Sequence, residues 1–109
     1  MSEIKDLRQE GVKTNIGGKE VNLYFDLNDL CDLEEEYGDA TKALEAIRSI
    51  KGARHCLWIA MRKANEEITE KEVGALIPSS DFTPVTSNLA KALWGSLPEQ
   101  KNEGTKENK

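Results

Sequence analysis

The sequence predicts an α+β domain, mainly α, with an N-terminal β-hairpin packed on a small bundle of about five short helices and a disordered C-terminal tail. Three observations carry this. Two alternating runs, 12–16 and 20–25, flank Gly17-Gly18-Lys19. Apolar residues then recur at three and four positions from Leu27 to Leu97, punctuated by Gly38, Gly52 and Pro78. After Pro98 no apolar residue remains to be buried. The chain divides accordingly into a mobile arm over 1–10, one globular domain over 11–97 and a tail over 98–109.

The arm is mostly charged and offers only Ile4 and Leu7 for docking. In the hairpin the glycines supply the positive φ of a tight turn, and Val21, Leu23 and Phe25 share one face at the strand period. A lone two-stranded hairpin is marginal in water, so that face should lie on the helices that follow. The first helix runs to Tyr37: Asp26 or Asn28 can cap it, Gly38 can end it, and Leu27, Leu30, Cys31, Leu33 and Tyr37 form its buried side. Its acids read as a solvated face. Asp39 caps a second helix over 40–49 with Ala40, Ala43, Leu44 and Ile47 inward.

Residues 50–52 are expected to break the chain before a central helix over 52–65, which is apolar over most of its circumference. Ala53, Cys56, Leu57, Ala60 and Met61 form a stripe that Trp58 and Ile59 widen, with His55 and Arg62 opposite. Such a helix is either central in a bundle or offers its surplus face to a partner. Thr69 and Glu72 match a capping box for a short helix to Ile77, with Ile68 and Val73 as a hydrophobic staple. Residues 79–82 read as a loop. Thr83 and Pro84 then start a last helix whose Val85, Leu89, Ala92, Leu93 and Leu97 share a face, with Trp94 at its edge.

A net charge of -5 opposes non-specific attraction to nucleic acid or an anionic membrane, so neither is an expected partner. No apolar run approaches the roughly 18 residues of a spanning helix, and the polar start lacks a signal-peptide core, which points to the cytoplasm. Cys31 and Cys56 fall on apolar faces and read as reduced core thiols.

No catalytic, cofactor or metal constellation emerges, and the chain does not read as an enzyme. His55 is the sole histidine and reads as a polar-face residue; Ser79 and Ser80 lack a glycine-framed elbow. Counted from Asp26, a calcium loop fails because Leu30 and Cys31 stand where an oxygen ligand and the glycine belong. A helix-turn-helix built on the central helix would read bases with little more than Lys71. The flanking Arg48, Lys51, Arg54, Arg62 and Lys63 more plausibly pair with the acidic first helix. Aromatics and methionine favour interface centres, so Trp58, Met61, Phe82, Leu93 and Trp94 are the candidate partner-binding residues, with ordinary core as the alternative for each. A surplus on the central and last helices would make a groove for an apolar peptide or amphipathic helix.

The layout resembles that of the small tail assembly chaperones of long-tailed, siphovirus-type bacteriophages and prophages. Residues 18–38, a strand leading into a Leu-rich acidic helix that ends in glycine, carry the likeness together with Leu57-Trp-Ile-Ala-Met and Ile68-Thr-Glu-Lys-Glu-Val-Gly-Ala-Leu-Ile. It spans 12–97. The resemblance implies a non-catalytic factor in the bacterial cytoplasm, absent from the mature virion. Such a factor coats the tape measure protein, keeps it soluble and helps recruit tail tube protein; a homo-oligomer is a further expectation. A holdase needs apolar surface on a soluble charged body, which this chain provides for. Rival readings are another small phage adaptor, such as a head-tail connector component, and a DNA-binding regulator.

Overall fold

The computed structural model describes residues 11–98, so the arm over 1–10 and the tail beyond Pro98 lie outside the described residues. Within them the fold is an N-terminal antiparallel hairpin followed by helices. Strands β1 (Val12–Ile16) and β2 (Lys19–Leu23) pair from Val12↔Leu23 to Ile16↔Lys19. That register leaves a two-residue turn with φ of 64° at Gly17 and 83° at Gly18, the left-handed pair that matches strand twist. β2 stops at Leu23, earlier than the alternation suggests. Phe25 is nonetheless buried beside Leu23, and its amide donates to Ser96 Oγ at 3.1 Å.

Helix α1 (Leu27–Tyr37) begins with a reciprocal capping box between Asp26 and Asp29 and ends at Gly38, φ 86°. Its buried side differs from the expected one. Leu27 is 71% exposed and Cys31 is exposed, whereas Asp29, Leu30 and Leu33 are buried. The capping box turns Asp29 inward, and two cations that directly follow the central helix meet it there. Asp29 Oδ1 accepts from Arg62 Nη2 at 3.2 Å and Oδ2 from Lys63 Nζ at 2.7 Å. Lys63 completes its three donations with the carbonyls of Tyr24 and Ala60, so the expected pairing of basic residues with the acidic helix holds for Arg62 and Lys63. The expectation of two core thiols holds for Cys56 alone.

The segment after Asp39 is a 3₁₀ turn (Ala40–Lys42) and a short α2 (Ala43–Ala46), shorter than its periodicity implies. What reads as a break at 50–52 is a helix start. Ser49 Oγ accepts from the amide of Gly52 at 3.0 Å and caps α3 (Ile50–Met61). Gly52 is there because of a close approach: a Cβ would stand 2.0 Å from the carbonyl oxygen of Ala46. The capping box of Thr69 and Glu72 opens α4 (Glu70–Ala75) as expected. The predicted loop holds a 3₁₀ turn (Ser79–Asp81), and α5 (Phe82–Ser96) starts one residue before the expected cap. α3 is central, with Cys56, Leu57, Ile59 and Ala60 in one core with Leu33, Val73 and Leu93. The hairpin lies against α5. Among the described residues no helix is long and apolar enough to cross a membrane.

Candidate partner groove

An apolar groove of about 310 Å³ is lined by the N-terminal halves of α3 and α5 and by the end of α4. Ser49 fixes where α3 starts. It thereby places Ile50, Ala53, Arg54 and Leu57 at helical spacing on the side facing the groove. α5 supplies Phe82, Val85 and Leu89 at the same spacing, and Gly74 and Ile77 form the floor on the α4 side. Ile50, a large apolar side chain at the edge of the groove, is 74% exposed among the described residues.

Arg54 is the one charged residue of the wall. Its stem lies along Gly74, where a Cβ would stand 3.1 Å from Arg54 Cδ. Its Nε is buried with no hydrogen-bond acceptor among the described residues. Glu70 Oε1 is closest to pairing with it, at 3.8 Å, too far for a hydrogen bond.

Beside the groove, His55 joins three helices. Nδ1 lies 2.5 Å from Glu70 Oε2 on α4 and Nε2 lies 2.6 Å from Glu36 Oε1 on α1. Carboxylates only accept, and a neutral imidazole has a single N–H, so both contacts are hydrogen bonds only in the imidazolium. Burial works against that charge. The hydrogen bonds and charges of Glu70 and Glu36 outweigh it and raise the His55 pKa above its ordinary value. The sequence offered no sign of these partners, which lie 19 positions before His55 and 15 after it.

Of the predicted partner-binding residues, Phe82 alone lines this groove, and its position as the first residue of α5 puts it there. Trp58 is engaged within the chain. Its Nε1–H donates to the carbonyl of Ile68 at 2.8 Å, and the Arg62 guanidinium carbon lies 5.1 Å from its ring centroid. Met61 is half-buried against the core. Leu93 has no accessible surface and is a core residue, which corrects its assignment to a binding face. Trp94 is 54% exposed but is not part of the groove wall. Sequence reasoning missed Ile50, Ala53 and Leu57 as one wall. Ser49 was the available signal, since a serine N-cap places Ile50 inside the helix and in phase with the others.

A wider, open cleft of about 670 Å³ runs between the hairpin turn and the start of α5, bordered by Gly17, Gly18, Pro78 and Asp81. Among the described residues Asp81 is the one charged group of its lining. The chain matches no family model, no curated protein and no solved structure.

Proposed function

We propose that this chain is a non-catalytic tail assembly chaperone that holds an apolar segment of the tape measure protein in the groove between α3, α4 and α5. The observation that carries the reading is the groove itself, predominantly apolar on both helical walls, with Ile50 at its edge exposed among the described residues. Exposed apolar surface of this kind on a charged body is what a holdase requires, and two helical walls suit a helix laid between them. Tail tube protein and a second copy of the chain are further partners in the same proposal.

The test is co-expression with the tape measure protein encoded in the parent genome. A soluble complex that survives purification, and that is lost on Ile50→Asp or Phe82→Ala, is the expected result. A well-expressed tape measure protein that stays insoluble would overturn the reading and shift weight to a connector or other adaptor. A complex insensitive to both groove substitutions but lost on Trp94→Ala would move the site to the exposed side of α5.

A further inference from the structure

We propose that the groove recognises an acidic amphipathic helix, and that Arg54, backed by Lys51 and Arg48, receives a carboxylate flanking the partner's apolar face. This rests on the groove being a partner site, as proposed above. The chain carries net negative charge, yet three basic residues, Arg48, Lys51 and Arg54, recur at three-residue spacing around the start of α3, and Arg54 lines the groove. Lys51 is exposed, one helical turn before Arg54, and Arg48 is exposed just before the cap. Among the described residues neither has a carboxylate within ion-pair distance, whereas Arg62 and Lys63 at the other end of α3 are paired with carboxylates of α1. The unpaired positive charges, Lys51 and Arg48, therefore stand at the start of α3, beside the residues that line the groove.

Arg54 gives the charge pattern a specific consequence. Its Nε is already shielded from water without an acceptor, and Glu70, whose other oxygen lies on His55, stands 3.8 Å away. A docking helix covers the guanidinium further. An incoming apolar or basic flank leaves it more poorly solvated, while a carboxylate meets the outer N–H groups of the guanidinium with charge-assisted hydrogen bonds. Gly74 keeps the arginine in place by letting its stem lie against α4. Both walls present side chains at three- and four-residue spacing, the complement of a helix.

The experiment uses the full chain and three fluorescein-labelled helical peptides of about 18 residues. They share one leucine face and carry Glu, Gln or Lys along its flank. Fluorescence anisotropy should rank Glu above Gln above Lys, with the Glu peptide roughly tenfold tighter than its Gln counterpart. Arg54→Gln should erase the difference between the Glu and Gln peptides, and Arg54→Lys should restore part of it. Thermal melts of each variant control for folding. Equal binding of Glu and Gln peptides, both weakened by Ile50→Asp or Phe82→Ala, would overturn the carboxylate anchor and leave the groove reading standing. Binding that ignores both groove substitutions, or no binding by any peptide, would overturn the proposal; in the first case the groove reading falls with it.

Discussion

Asp29→Asn is the substitution that best probes how the acidic helix is fastened to the central one. The Asp29 side chain is 3% exposed and accepts three hydrogen bonds: from Arg62 Nη2, from Lys63 Nζ and, at 3.0 Å, from the amide of Asp26. Asparagine keeps the shape but turns an amide NH₂ toward one of these donors and removes the charge that balances two cations. Lys63 retains the carbonyls of Tyr24 and Ala60, and Arg62 retains Asp32 and the Trp58 face, so the loss is partial. Breaking a buried pair while one partner stays engaged elsewhere should cost about 2–4 kcal/mol. In a domain of this size that lowers the melting temperature by roughly 10 °C or more. Asp32→Asn is the control. Asp32 pairs with the same arginine at 2.5 Å, but its side chain is 46% exposed, and the cost should be about 1 kcal/mol or less. Urea unfolding of the three proteins at one pH reads both numbers. Equal destabilisation by the two substitutions would refute the claim that burial, and not ion pairing as such, gives Asp29 its weight.

Three further outcomes follow from the same geometry. The raised His55 pKa means that its ionic ties to Glu36 and Glu70 stabilise fully below the unfolded value of about 6.5 and fade as pH rises through the folded one. Wild type should therefore lose stability across that interval by more than His55→Gln does in parallel urea titrations, and identical slopes would show that the contacts carry no net charge stabilisation. Gly52→Ala should destabilise by about 2 kcal/mol or more, against the gain of about 1 kcal/mol normal for this change in a helix, because its Cβ meets the Ala46 carbonyl. Stabilisation on urea unfolding would mean that α2 yields to α3. Cys31 is exposed, while burial pushes the Cys56 thiol up to about 11; a thiol reagent near pH 8 should titrate one cysteine quickly and the second only in denaturant. Rapid reaction of both would show that the core around Cys56 opens readily.

Much of the local structure was legible in the sequence because its causes are local. Gly17-Gly18 and the flanking alternation define the hairpin, Asp26, Asp39 and Thr69 mark helix starts, and the stripe from Ala53 to Ala60 identifies α3 as the central helix. Where local cues competed, the reading slipped. Gly52 looked like a break because glycine disfavours helix interiors, while the serine cap three residues earlier decided otherwise. Leu27 and Cys31 fitted an apolar stripe, yet α1 is rotated to bring Asp29 inward.

The candidate site was less legible, since four of the five predicted residues lie outside the groove and its α3 wall hinges on the misread helix start. Periodicity states which residues share a face, but not which other face they meet. Trp58 and Leu93 sit on apolar stripes like any exposed anchor would, and only the packing of neighbouring elements engages one and buries the other. The sequence by itself thus determined the hairpin, the positions of the caps and the central helix, through backbone preferences and side-chain spacing. The tertiary structure alone decided that His55 bridges Glu36 and Glu70, that Asp29 is buried between two cations, and that Arg54 lines an apolar groove. Each of these depends on the rotation and approach of helices distant in sequence, which only the shared core sets.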